Sequence, residues 1–336
     1  MLPPLQIGEV LRDRYKITAY VGQGGMGSIY QAEDLRLEGR QCAIKEVQND
    51  LSLAPEAQQQ ARDQFYREAS ILARLDHTNL PKVSDFFSIG ERDYIVMDFV
   101  PGRDLKDIMN EAKQNNRFLP ESDVLNWAFQ LADALEYLHH QDEVIVHRDI
   151  KPSNLKVTPT GLLKLVDFGL VKLLAADERT ITVIQGLGSA YYTPLEQYGG
   201  DTGHTDARTD IYSFGATLYH LLTNEPPAEA KQRFLRSDAL KPIRSINPAV
   251  SANTEQAIVW AMALHPDDRP PDVATFHEAL QPNNNLLVRA EGETLVVQPT
   301  IRLPSLTNPV DRYMAAATVG LLILAVLVTL FPFSAH

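Results

Sequence analysis

His147-Arg148-Asp149-Ile150-Lys151-Pro152-Ser153-Asn154, followed thirteen residues after Asn154 by Asp167-Phe168-Gly169, is the stretch that decides how this chain is read. It gathers two carboxylates, a carboxamide and an ammonium group into one turn-rich region. Such a set can hold a metal ion, a phosphate and an attacking hydroxyl in one place. Phosphoryl transfer asks little more of a protein than positioning and charge neutralisation. Each half alone has a plainer meaning: an Asp that caps a helix, or acids that line a solvated loop. Together, in this order and spacing, they match a known catalytic signature.

Toward the N-terminus, Gly22, Gly24 and Gly27 give the spacing G-x-G-x-x-G. That pattern alone is weak, since dinucleotide-binding folds and chance both produce it. A dinucleotide turn opens into a helix, whereas here Ile29, Tyr30 and Ala32 continue a strand-like pattern. The sequence therefore predicts a glycine-rich hairpin whose backbone comes close to phosphates where side chains would clash. Ala43-Ile44-Lys45 lies on the next strand, Gln41 to Val47. Lys45 reads either as a surface lysine with its stem on apolar ground or as a phosphate partner. A helix predicted over Pro55 to Leu75 puts Phe65, Glu68, Leu72 and Leu75 on one face. A carboxylate there is unfavourable unless a cation meets it, and Lys45 is the natural partner.

Asp93 to Val100 reads as a strand broken by Pro101-Gly102, and spacing alone makes its end an ordinary strand end. From Pro120 onward helical spacing dominates. A strand-rich small part followed by a helix-rich large part predicts an α+β fold with a cleft between two lobes, a common place for a ligand. No internal repeat is visible.

On these motifs the chain resembles a protein kinase, and in detail the bacterial members of the eukaryotic-like serine/threonine kinases, from about Tyr15 to about Leu280. The resemblance implies a bilobal protein-kinase fold: an N-terminal extension over 1–14 and a kinase domain over 15–280, with a β-rich small lobe over 15–97 and a helical large lobe over 101–280. It implies ATP and magnesium (or manganese) as cofactors, and protein serine or threonine hydroxyls as acceptors. Asp149 would take the acceptor's proton, Lys151 would sit by the transferred phosphate, and Asn154 and Asp167 would hold the metal. Lys45 would pair with the α- and β-phosphates and with Glu68. Val21, Gly22, Gly24, Gly27, Ile29 and Ala43 would line the nucleotide site. Met97 would form its back, and backbone groups of Asp98 and Val100 would bond adenine.

The same resemblance makes Leu170 to Thr193 an activation segment that closes on Pro194-Leu195-Glu196. Leu195 stands where the family usually has proline, which bears on the docking loop's shape and leaves the chemistry intact. Glu196 would pair with Arg269 to brace the large lobe, and Asp210 would hold the catalytic loop's backbone. Ser189 takes a position usually held by threonine, near Asp149 and Lys151. Arg148 beside Asp149 makes a phosphate on the segment useful, with Thr180 and Thr182 as candidate autophosphorylation sites or, more plainly, β-forming loop residues. Two rival readings share these residues: a small-molecule phosphotransferase on the same fold, and a pseudokinase scaffold. The extended segment with its Glu196 and Arg269 argues against the first. The presence of Lys45, Asp149, Asn154 and Asp167 together argues against the second.

Composition agrees with a globular chain: 336 residues, 44% hydrophobic and 22% charged. A formal net charge of −12 disfavours nucleic acid, whose phosphates need basic surface. The single Cys42 excludes an internal disulfide, suits a reducing cytoplasm, and reads as a small core residue before a reactive thiol. The N-terminus lacks a basic start and an apolar run, which predicts no signal peptide. Residues 281–312 read as a linker or a short hairpin, with apolar runs at Leu286-Leu287-Val288 and Leu295-Val296-Val297 around Glu291-Gly292-Glu293. Residues 313–331 carry no charged side chain, and as a helix would be roughly 28 Å long, enough to cross a bilayer. They predict a single-pass transmembrane helix followed by a short tail over 332–336. Arg302 and Arg312 on the domain side place the kinase domain in the cytoplasm. Ala316 and Gly320 form a small-xxx-small pair, and whether copies associate as a homodimer through this helix or the small lobe is left open.

Overall fold

Strand β3 (Gly27–Asp34) buries every second residue, so its two faces meet different surroundings. It lies between β2 (Tyr15–Gly24) and β4 (Gln41–Gln48) in an antiparallel sheet that β1 (Val10–Leu11), β5 (Val83–Ile89) and β6 (Arg92–Asp98) complete, in the order β1-β2-β3-β4-β6-β5. This computed structural model describes residues 3–24, 27–48, 52, 54–167, 190–198 and 206–281. Phe168, Gly169, Thr180, Thr182, Ser189, the linker and the apolar run over 313–331 lie outside the described residues.

The register pairs Ile29 with Lys45, Lys45 with Ile95, and Ala43 with Met97, which puts these five side chains on one face. On the other face Tyr30, Ala32, Cys42, Ile44, Tyr94 and Val96 form a core with Leu11, Tyr15, Ile17 and Phe87. Burial pushes the Cys42 thiol up to about 11, so it serves as packing. Helix α1 (Pro55–Leu72) buries Phe65, Glu68, Ala69 and Leu72, with Pro55 in the first turn where its missing N–H costs nothing. The helix stops at Leu72, short of the expected Leu75, although Leu75 stays buried.

The large lobe begins with β7 (Arg103–Asp104) and α2 (Leu105–Gln114), followed by α3 (Glu121–His139) and the hairpin β8 (Leu155–Val157) and β9 (Leu163–Leu165). Helices α4 (Ala207–Thr223), α5 (Ala230–Leu235), α6 (Ile243–Ile246), α7 (Ala252–Ala261) and α8 (Val273–Leu280) follow. Asp104, Asp206, Ser251 and Asp272 cap α2, α4, α7 and α8 by accepting from backbone N–H groups of the first turn. Helix α4 is buried almost throughout and forms the axis of the lobe. A Cβ on its Gly215 would stand 2.9 Å from Ala261 Cβ, so glycine is what lets α4 and α7 approach. Between the lobes, Gly102 has φ 120°, and a Cβ there would lie 2.1 Å from Val157 O. The turn after Pro101 thus needs glycine, and the strand before it ends at Asp98 instead of Val100. The result is the expected α+β bilobal protein-kinase architecture. Among the described residues no helix is long and apolar enough to cross a membrane.

Residues ahead of Tyr15, read from sequence as an extension, lie across the small lobe's outer face. Leu5 N donates to Tyr30 Oη at 3.0 Å, Gly8 N to Ile17 O at 2.8 Å, and Ile17 N to Glu9 O at 2.8 Å. Beneath them Glu46 is fully buried, accepting from Tyr30 Oη at 3.1 Å and Arg92 Nη1 at 3.3 Å. Arg92 also donates through Nη2 to Pro3 O at 2.5 Å, tying the segment to the same cluster. Removing Arg92 would take a cation away from a carboxylate sealed inside the sheet. Arg92→Ala is therefore expected to lower unfolding free energy by about 3 kcal/mol in urea titrations. A change below about 0.5 kcal/mol would contradict this account of Glu46.

Candidate active site

Asp210, in the first turn of α4, has no exposed surface, so its carboxylate must be met by donors. Its Oδ2 accepts from His147 N at 2.8 Å and stands 2.9 Å from His139 Nε2, while its Oδ1 accepts from Arg148 N at 2.8 Å. Burial alone would raise its pKa. His139, His147 and the Arg148 N–H together outweigh burial and hold Asp210 below the usual carboxylate range. Arg148, at φ 64°, occupies the left-handed region that non-glycine residues rarely adopt. The two bonds from Asp210 fix that turn and so direct Asp149.

The Asp149 carboxylate receives Lys151 Nζ at 2.8 and 2.7 Å on its two oxygens. Asn154, at the end of a single 3-10 turn from Pro152, donates Nδ2 to Asp149 Oδ2 at 2.9 Å and to its backbone O at 2.8 Å. Asn154 O in turn accepts from Val166 N at 2.8 Å, which sets Asp167 beside the loop. Asp167 has φ 60°, another left-handed non-glycine residue, and its Oδ1 lies 2.5 Å from Lys45 Nζ. Burial pushes Asp167 up, but the charge and hydrogen bond of Lys45 hold it below the usual range. Asp149, Lys151 and Asn154 thus form one set of contacts and Lys45 with Asp167 a second, tied together by the Val166 N–H on Asn154 O.

Glu68 is buried on α1 and accepts from Gln64 Nε2 at 2.9 Å. Its charge also reaches Arg148: burial pushes that guanidinium's pKa down, and Asp210 and Glu68 oppose the shift. Of the residues expected to line a nucleotide site, Ile29, Ala43 and Met97 share the inner face with Lys45. Gly22 pairs with Ile29, Ile29 with Lys45, and Ala43 with Met97. A register shift between Tyr20 and Gly22 makes half-exposed Val21 a bulge residue, which re-aims its side chain. Met97 and Val100 are buried, and Asp98 N donates to Lys82 O at 3.0 Å.

The glycines of the hairpin separate by cause. A Cβ on Gly27 would lie 1.8 Å from Glu46 O, so β4 itself demands glycine there. A Cβ on Gly22 would meet no protein atom within 4 Å. Gly24 pairs with Gly27 at the hairpin's end. Away from the cleft, Arg269 grips Glu196 through Nη1 at 2.6 Å and Nη2 at 3.0 Å. The guanidinium also donates to Ala263 O, Leu264 O and Arg208 O, so a fully buried cation has its donors occupied. Leu195 lies in the 3-10 turn Leu195–Gln197 and packs on the larger core.

Several supports escaped the sequence reading. His139 holds Asp210 from the end of α3. Asn79 and Gln130 hold β9, the strand that leads to Asp167: Leu165 N donates to Asn79 O, Asn79 Nδ2 to Leu163 O, and Leu163 N to Gln130 Oε1, each at 2.8 Å. A lone amide in a helix or loop gives no sequence signal of this kind. Gly22→Ala is expected to leave the unfolding midpoint unchanged and to weaken nucleotide binding about tenfold, because only a close ligand would meet the new methyl. Gly27→Ala is expected to lower stability by about 2 kcal/mol or more. Calorimetric binding with parallel thermal melts would contradict this if the two variants behaved alike.

The family model described as "Protein kinase domain" matches residues 15–282. A probable serine/threonine-protein kinase PknB of Corynebacterium glutamicum is 34% identical over 277 residues, covering 77% of this chain and 40% of that protein. A probable PknB of Lactococcus lactis is 32% identical over 319 residues, covering 91% of this chain and 48% of that protein. The chain thus spans less than half the length of these relatives. Among solved structures, the PknI kinase domain of Mycobacterium tuberculosis is similar with a TM-score of 0.61 at 25% identity, covering 83% of this chain and 98% of that one. With a matching family model over most of its length and relatives above 30% identity, the chain belongs to the protein kinase family.

Proposed function

We propose that the protein transfers the γ-phosphoryl group of ATP to serine or threonine hydroxyls of proteins. The observation that carries this is the joined set Lys45–Asp167, Asn154–Asp149 and Asp149–Lys151 on a kinase fold. The Asp149 carboxylate, oriented by Lys151 and Asn154, is the acceptor for the hydroxyl proton. The Lys151 ammonium lies where it can neutralise the phosphoryl group in flight, and Lys45 serves the α- and β-phosphates with Glu68 behind it. Asp167 carboxylate oxygen and Asn154 Oδ1 are hard donors of the kind that suits magnesium, which keeps water and phosphate oxygens in its remaining positions. When bound, the metal offsets phosphate charge. The serine/threonine assignment rests on Lys151-Pro152-Ser153 and on the names of the relatives.

A phosphate on Thr180 or Thr182 would meet Arg148, whose burial makes a compensating charge favourable. The uncharged run over 313–331 serves in this reading as a membrane anchor with the kinase domain on the cytoplasmic side. A pseudokinase is disfavoured because Lys45, Asp149, Asn154 and Asp167 are all present. A small-molecule phosphotransferase is disfavoured because Arg269 braces Glu196 at the end of a peptide-docking segment. With radiolabelled ATP and general protein substrates, Lys45→Met and Asp149→Asn are each expected to lose roughly a thousandfold in transfer rate at near-normal stability. Absence of transfer by the wild type, or full transfer by either variant, would overturn the proposal. Transfer to small molecules alone would favour the phosphotransferase.

A further inference from the structure

Tyr30 Oη is a junction on the outer face of the small-lobe sheet. It accepts from Leu5 N at 3.0 Å and donates to Glu46 Oε2 at 3.1 Å. A third hydrogen bond comes from the Ser28 hydroxyl; with the Leu5 N–H it opposes the rise that burial imposes on the Tyr30 pKa. The single donor and both lone pairs of the phenol are thereby used. The segment that supplies Leu5 is itself fixed. Pro3 O accepts from Arg92 Nη2 at 2.5 Å, and Gly8 N donates to Ile17 O at 2.8 Å. Between them a turn is closed by Gln6 N on Glu9 Oε2 at 3.0 Å and Glu9 N on Gln6 O at 3.1 Å. The Leu5 side chain packs on the core of this face.

Each group that this junction holds stands back to back with a group on the nucleotide side. Ser28 and Tyr30 are buried on the outer face and flank Ile29, whose partner in register is Lys45. Glu46 follows Lys45 on β4 and is fully buried, while Lys45 turns inward to Asp167. The carbonyl of Glu46 also backs the glycine hairpin, since a Cβ on Gly27 would stand 1.8 Å from it. The clamp on Glu46 therefore fixes both the strand that carries Lys45 and the surface on which the hairpin rests. The two faces of a strand share one backbone, so a shift of Tyr30 or Glu46 carries Gly27, Ile29 and Lys45 with it.

We propose that residues 3–9 form a strap, with Tyr30 as its coupling residue, that positions Lys45 and the glycine hairpin for the triphosphate of ATP. Strap and Tyr30 act through Glu46 and Ser28, without touching the nucleotide. This rests on the protein-kinase reading above. The supported groups hold the phosphates in ground and transition state alike, so loosening the strap weakens ATP binding and leaves the chemical step and the acceptor side unchanged. The full chain would be compared with a variant lacking residues 2–7, with Leu5→Pro, Leu5→Ala and Tyr30→Phe, and with Tyr30→Phe combined with the truncation. Leu5→Pro removes the N–H donor, whereas Leu5→Ala keeps it and removes packing. Tyr30→Phe keeps the ring and leaves Arg92 on Glu46. Calorimetry gives Kd for ATP, radiolabel transfer gives kcat and KM for ATP and for an acceptor peptide, and thermal melts give Tm.

The truncation and Leu5→Pro are each expected to raise Kd and KM for ATP about fivefold, the scale of one lost hydrogen bond, with kcat and the acceptor KM within about twofold of wild type. Leu5→Ala is expected to lower Tm without moving Kd for ATP. Tyr30→Phe is expected to raise Kd to a similar extent, and the truncation made on top of it to add less than about twofold, because both break the same route. Binding read well below each Tm keeps loss of fold apart from loss of position. Unchanged Kd for ATP in the truncation, Leu5→Pro and Tyr30→Phe, or an equal rise in Leu5→Ala and Leu5→Pro, would overturn the strap. Fully additive effects of the truncation and Tyr30→Phe would overturn Tyr30 as its coupling residue. ATP binding that responds as expected in a protein that transfers no phosphate would overturn the kinase reading and leave the strap standing.

Discussion

A carboxylate sealed inside the large lobe governs the shape of the catalytic loop. Asp210 has no exposed surface, and such a group costs several kcal/mol unless donors surround it. Its donors are the N–H groups of His147 and Arg148 and the ring of His139. The dependence runs both ways. The loop satisfies the carboxylate, and the carboxylate holds Arg148 in a left-handed conformation that an arginine would not choose unaided. On the same helix, Gly215 lets α7 close against α4.

From that turn the remaining chemistry follows by short steps. Asp149 is aimed by its neighbour, then fixed by Lys151 and Asn154. Asn154 passes the order to Val166 through its carbonyl, and Asp167 reaches across the cleft to Lys45. Two carboxylates and two ammonium groups form two pairs, so each charge is met by its opposite at 2.5 and 2.7 Å. The small lobe contributes through register: the pairing of β4 with β3 and β6 sets Lys45 on the inner face, while Glu46, one residue on, is buried on the opposite face and clamped by Arg92 and Tyr30.

Much of this was legible in the sequence because the chemistry confines its residues to short loops. The spacing from Asp149 through Asn154 to Asp167 survives in one dimension, and so does a glutamate on the apolar face of α1. Gly27 was readable as a required glycine, but its cause was not: the contact that forbids a side chain is the carbonyl of Glu46, on another strand. Pairings across long separations left no trace, among them His139 with Asp210 and Asn79 with Leu163. The N-terminal segment read as an appendage because its bonds to Tyr30, Ile17 and Arg92 are made by backbone atoms, which sequence does not mark. Element ends shifted for local reasons, as where the turn at Gly102 stops β6 at Asp98.

The most direct measurement is amide hydrogen exchange at His147 and Arg148 in Asp210→Asn, with phosphoryl transfer assayed on the same sample. An amide side chain can accept through one oxygen only, so the account expects at least one of the two protected N–H groups to exchange about tenfold to a hundredfold faster, and transfer to fall with it. Unchanged exchange at both positions together with undiminished transfer would show that the loop holds its shape without the buried carboxylate, and would contradict the account at its base.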